Sequence, residues 1–136
     1  MIYKNTMKLI LFQIILLSSL CFSASTAMAQ QAKAYETVKY TARIKNGVFH
    51  LDYADGYIGA SKIRLVSTKQ KEQLFTPHSG TPEANGDFVL NLSSGADKRD
   101  ITLRGIDEET EAHNIIRANY REKGQVLALL FRKNKP

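Results

Sequence analysis

Short runs in which apolar and polar side chains alternate follow one another between residues 37 and 132. This alternation is typical of half-buried β-strands, and glycine, proline, asparagine and aspartate separate the runs at hairpin-like intervals. The pattern predicts eight strands, near residues 37–45, 48–54, 62–67, 72–76, 87–92, 99–104, 114–121 and 125–132. Eight short strands at this spacing predict an all-β domain, built from hairpins as a small antiparallel sandwich or a closed barrel.

The stretch YTARIKNGVFHLDY, residues 40–53, predicts the first hairpin. Asn46 and Gly47 both tolerate a positive φ, so they are the expected two-residue loop of a type I′ turn. This register pairs Lys45 with Val48 and separates an apolar face from a polar one, because side chains alternate with period 2. The polar face carries groups that ionise or form hydrogen bonds: Lys39, Thr41, Arg43, Lys45, His50 and Asp52.

A second hairpin is predicted around Lys123 and Gly124 near the end of the chain. One face is apolar, and the other combines arginine with apolar side chains: Arg117, Asn119, Arg121, Val126, Ala128 and Leu130. An outward apolar strip is either covered by another segment or available to a partner. The favoured interpretation is cover by residues 30–36 or by the loop 107–113. The alternative is a docking strip bordered by arginine, which is enriched at protein interfaces.

The first 29 residues have the features of a cleaved signal peptide. Lys4 and Lys8 precede an apolar run of 14 residues, 9–22, and Ala27 and Ala29 supply the small side chains of a cleavage site. The run is shorter than the roughly 20 residues that a membrane-spanning helix needs. We therefore expect residues 30–136 to form one soluble domain, without a transmembrane segment, that is periplasmic or secreted.

The charge of the chain narrows the class of partner. Removal of Lys4 and Lys8 leaves 17 basic and 13 acidic residues in 30–136, a net charge of +4. This mild positive charge favours anionic partners of the cell envelope. We do not expect nucleic acid as a partner, because the basic strands lack the outward aromatic residues on which bases stack.

Candidate chemistry is sparse. Thr41, His50 and Asp52 share the polar face with Arg43, but a flat outward face lacks the sheltered geometry that a nucleophile and its base require. The three histidines are scattered, and residues 30–136 contain no cysteine, so neither a zinc site nor a disulfide is predicted. No cofactor motif is present. The sequence thus predicts no catalytic, metal or cofactor residues.

The combined expectation is a non-catalytic binding module for an envelope or extracellular protein, or for an anionic glycan. An eight-stranded barrel can also enclose a small apolar ligand, so a lipocalin-like carrier is the alternative, although the likeness is one of architecture only because the chain has no tryptophan. An enzyme with an unrecognised site is the third possibility. The predicted binding residues are Arg43, Lys45, His50, Arg117, Arg121, Val126 and Leu130.

Overall fold

A computed structural model describes residues 35–95, 98–107 and 110–136 of the chain. The described residues form eight strands and one 3-10 helix, Ile58–Ala60, between the second and third strands. The strands are β1 (Glu36–Ile44), β2 (Gly47–Asp55), β3 (Lys62–Ser67), β4 (Gln73–Pro77), β5 (Phe88–Leu92), β6 (Asp100–Arg104), β7 (Ile115–Glu122) and β8 (Gln125–Lys133). The predicted signal peptide, residues 1–29, lies outside the described residues.

Every strand pairs antiparallel with the next, and β8 returns to pair with β1, which closes the sheet into a barrel. The prediction of an all-β domain is confirmed, and of the two architectures left open the chain adopts the barrel. The chain leaves β1, β3, β5 and β7 at one end of the barrel, here called the turn end. The opposite end is called the loop end. Within the described ranges, no helix has the length and apolarity needed to cross a membrane.

Aromatic and aliphatic side chains fill the interior of the barrel. The largest of the fully buried residues are Tyr40, Phe49, Phe75, Phe88 and Phe131, each at most 1% exposed. Phe49 lies edge to face with Tyr120, with ring centroids 5.1 Å apart, and Phe75 lies 6.1 Å from the same ring. Aromatic pairs at this spacing add to the stabilisation from burial. The eight inward faces thus form one continuous core.

The first hairpin differs from its prediction in register. Its loop consists of Lys45 and Asn46, neither of which has a positive φ, and Gly47 is the first residue of β2. A Cβ atom on Gly47 would lie 2.8 Å from the backbone oxygen of Val66 on β3. Close approach between strands, rather than turn geometry, therefore explains the glycine. The predicted Asn46-Gly47 loop is wrong, as is the pairing that it implied.

The side chains of this hairpin lie on their predicted faces despite the change of register. Arg43 pairs with Val48 instead of His50, and Thr41 pairs with His50 instead of Asp52. A partner shift of two residues leaves each side chain on its original face, because strand side chains alternate with period 2.

The last hairpin has the predicted register. Lys123 and Gly124 form its loop with φ values of 49° and 76°, as a type I′ turn requires. Arg117 lies opposite Leu130, and Arg121 lies opposite Val126.

The seam between β1 and β8 closes the barrel over a short distance. Its ladder has two pairs, Tyr40 with Lys133 and Thr41 with Arg132. Beside them the Thr41 hydroxyl donates to the Asn134 side-chain oxygen at 2.8 Å, and the backbone N–H of Asn134 donates to the Lys39 carbonyl at 2.8 Å. All of these contacts lie toward the loop end. Toward the turn end, continuation of the register would set Arg43 opposite Leu130, but the ladder stops before that point.

Candidate binding face

An apolar strip runs along the outside of β8. It consists of Val126, Ala128 and Leu130, and is called the β8 strip below. Val126 is 59% exposed and Leu130 is 40% exposed, and Ala128 between them is exposed as well. Outward positions of a sheet that faces water are usually polar, so three successive outward apolar residues are a distinctive feature of this wall.

The expected cover for this strip is only partly described. In the loop 107–113, the His113 carbonyl accepts a hydrogen bond from the Tyr40 hydroxyl at 2.5 Å, and the Ala112 amide donates to an Asp55 carboxylate oxygen at 3.4 Å. Both contacts hold Ala112 and His113 at the loop end of the barrel, so the described part of this loop leaves Val126 and Leu130 exposed. The other predicted cover is the segment 30–36, of which residues 30–34 lie outside the described residues.

Arginines border the β8 strip on both sides. Arg117 on β7 lies opposite Leu130, and Arg43 on β1 lies on the other side of Leu130, across the seam and beyond the end of its ladder. Arg132 follows Leu130 on the same outward face of β8. Arg43, Arg117 and Arg132 are exposed and form no ion pair with any other residue that the structure describes. The guanidinium groups are thus available to an external anion.

Two other arginines on this side of the barrel already have acidic partners. Arg121 lies 3.9 Å from a carboxylate oxygen of Asp100, and Arg104 lies 2.9 Å from one of Asp87. We name the candidate binding face from the β8 strip together with the three arginines that lack such pairs. Its members are Arg43, Arg117, Val126, Ala128, Leu130 and Arg132.

Two open grooves meet over Ala128, whose small side chain leaves a depression. One groove, of about 500 Å³, lies between β8 and β7 and is bordered by Arg117. The other, of about 560 Å³, lies between β8 and β1 and is bordered by Arg43 and Arg132. Leu130 lines both grooves. Apolar surface at the centre and cationic groups at the rim are therefore continuous across β7, β8 and β1.

Closure of the barrel brings together residues that are distant in the sequence. Arg43 belongs to the first hairpin and Leu130 to the last, and the closing ladder makes their strands neighbours. Of the other predicted residues, Lys45 is in the exposed β1–β2 turn, and His50 is half-buried on β2, one strand farther from β8. Sequence reasoning missed Arg132, although the outward alternation through Val126, Ala128 and Leu130 extends to it.

The polar groups on the first hairpin form separate local contacts. Thr41 pairs with His50 across the ladder, but its hydroxyl donates to Asn134. Asp52 lies 3.9 Å from the Lys62 ammonium group. No group of three or more metal-ligating side chains occurs within the described ranges.

Comparison of the chain with models of protein families, with curated proteins and with solved structures finds no match. Its function is therefore inferred from the geometry of the barrel and its outer face.

Proposed function

We propose that the protein is a non-catalytic binding module that acts after export and holds its partner on the candidate binding face. The observation that carries this proposal is the exposed β8 strip with Arg43, Arg117 and Arg132 around it, none of them ion-paired within the described residues. Arginine is enriched at protein interfaces, and an exposed apolar strip is surface that a partner can bury.

The charge of the chain supports an anionic partner. The net charge of residues 30–136 is +4, and the binding face itself contributes three cations and no carboxylate. The positive electrostatic field of these charges raises the rate at which the protein encounters anionic partners. The partner is an envelope or extracellular protein, or an anionic glycan.

The packing of the interior favours this function over a carrier. Tyr40, Phe49, Phe88 and Phe131 occupy the interior with at most 1% exposure. The two grooves described above are both outside the barrel, and each is open to solvent. The partner of the proposed binding module is thus expected on the outer wall.

The test is capture of partners from an envelope extract by the exported protein, purified from cells that express the full chain. Leu130→Ser is the disrupting variant and Leu74→Ser is the matched control. Leu74 is 39% exposed on the outer wall of β4 and lies opposite Arg64, just as Leu130, 40% exposed, lies opposite Arg117. Both substitutions should leave the thermal midpoint almost unchanged, since exposed positions contribute little to stability.

Protein, glycan and lipid fractions of the captured material are quantified separately. We expect a component that is retained by the wild type and by Leu74→Ser but is lost with Leu130→Ser. Equal recovery by all three proteins would show that the β8 strip is not a binding surface.

A further inference from the structure

The dimensions of the candidate binding face limit the size of its partner contact. Val126 to Arg132 spans six residue steps, about 20 Å at roughly 3.3 Å per residue, and β7 to β1 spans two strand spacings, about 10 Å. This footprint is long and narrow, and its length of about 20 Å equals that of about six residues of an extended chain. The face therefore suits one extended segment of a partner better than a globular surface.

The side chains of the face favour a peptide over a glycan. None of the outward residues of β7 and β8 is aromatic. These residues are Ile115, Arg117, Asn119, Arg121, Val126, Ala128, Leu130 and Arg132. Planar aromatic rings supply the stacking surface on which sugars and bases pack. Branched aliphatic groups beside a depression are instead complementary to an aliphatic side chain.

The three arginines indicate the charge of the partner residues that flank this aliphatic side chain. Arg117 and Arg43 lie on opposite sides of Leu130, and Arg132 lies farther along β8. A guanidinium group binds a carboxylate or a phosphate through two parallel hydrogen bonds, and in an unmodified peptide segment Asp and Glu supply such groups. A segment with carboxylates on both sides of an apolar residue would match this arrangement.

We infer that the partner presents a short, extended acidic segment whose central aliphatic side chain packs over Ala128 against Leu130. Carboxylates that flank this side chain pair with Arg117 on one side and with Arg43 or Arg132 on the other. This inference rests on the proposed function and gives it a ligand class.

The experiment is a selection of random linear dodecapeptides on the immobilised exported protein. Enriched peptides are then synthesised and their dissociation constants measured for the wild type and for matched variants. Leu130→Ser and the double variant Arg43→Gln/Arg117→Gln disrupt the face. Leu74→Ser and Arg64→Gln are controls, because this leucine and arginine form a cross-strand pair on another wall. Circular dichroism and thermal melting verify that all variants fold.

We expect the enriched peptides to contain an aliphatic residue flanked by at least two acidic residues. Leu130→Ser should weaken their binding by about tenfold or more, as for a central interface residue. The double arginine variant should weaken binding and also reduce its dependence on salt, because exposed charges are screened over about 8 Å at physiological ionic strength. The two control variants should bind like the wild type.

Several results would overturn the inference: no enrichment, enriched peptides without acidic residues, or equal losses in the control variants. Self-association that Leu130→Ser abolishes would make a second copy of the chain the occupant. If sulfated oligosaccharides or anionic phospholipid vesicles bind through Leu130 while peptides do not, the segment is refuted but the proposed binding role of the face stands. If no probe binds and capture from extract is also unchanged by Leu130→Ser, both proposals fail.

Discussion

Replacement of Tyr40 by phenylalanine should lower the stability of the barrel at neutral pH. Tyr40 is fully buried on β1, and its hydroxyl donates to the His113 carbonyl at 2.5 Å, which ties the connection before β7 to the closing strand. Tyr40→Phe removes this hydrogen bond and leaves the carbonyl without that donor. The expected loss is about 1–2 kcal/mol in the free energy of unfolding, as for a partly buried neutral hydrogen bond.

The same substitution should remove a pH dependence. Burial raises the pKa of Tyr40 to about 12, and repulsion from Tyr53 and Asp55 adds to the effect. The unfolded tyrosine has a pKa of about 10, so the folded state favours the neutral phenol. The resulting stabilisation is complete below pH 10 and is lost as the pH rises from 10 toward 12. At pH 11, midway through this window, the wild type should have lost about 1.4 kcal/mol through this group.

Urea unfolding of the wild type and of Tyr40→Phe at pH 8 and pH 11 tests both parts. The wild type should be more stable at pH 8, and the difference should shrink nearly to zero at pH 11, because only the wild type carries the titrating hydroxyl. Tyr35→Phe is the control, since Tyr35 is exposed and its loss changes the number of tyrosines equally. A difference that stays constant between the two pH values would refute the proposed role of Tyr40 ionisation.

Other measurements test the close approach at Gly47, the turn at Lys123 and the cleavage of the signal peptide. Gly47→Ala should destabilise the protein by about 1–3 kcal/mol, because its Cβ would lie 2.8 Å from the Val66 oxygen. Gly80→Ala is the control and should not destabilise the protein, because a Cβ atom on Gly80 would have no neighbour within 4 Å. Equal melting temperatures of the two variants would contradict the close-approach explanation. Lys123→Asn should stabilise the last hairpin by about 0.5–1 kcal/mol, because Asn tolerates the φ of 49° better than Lys, and an unchanged urea midpoint would argue against strain there. Mass spectrometry of the exported protein should place its N-terminus within a residue or two of Gln30, whereas an intact residue 1–29 segment would contradict cleavage.

The strands were predictable because their signal is local. Alternating side chains and turn residues place each of the eight strands within one or two residues of its observed bounds. Gly124 readily adopts its positive φ, Lys123 adopts one although lysine tolerates it less well, and the last hairpin has the predicted register. In the first hairpin, a tertiary contact between Gly47 and β3 prevailed over the local preference of Asn-Gly for the loop.

The candidate binding face was predictable only in pieces. Arg43 and the β8 strip were identified as two separate surfaces, because nothing in the alternation of side chains indicates which strands meet when a sheet closes. A sandwich and a barrel place β1 differently with respect to β8, and the sequence left both open. The pairing of Thr41 with Arg132 is what joins the two surfaces.

Binding at this face, as proposed, would be coupled to closure of the barrel. β1 pairs with β2 over nine residues and β7 with β8 over eight, whereas the β1–β8 ladder has two pairs. The β1–β8 seam thus has fewer paired residues than the other ladder of either strand. Arg43 and Leu130 lie on the two sides of this seam, just beyond the point where its ladder stops. A segment that contacts both residues bridges the seam and binds the closed state in preference to an opened one. The binding free energy of such a segment would add to the stability of the closed barrel by mass action, so the proposed binding surface would also reinforce the fold at its shortest ladder.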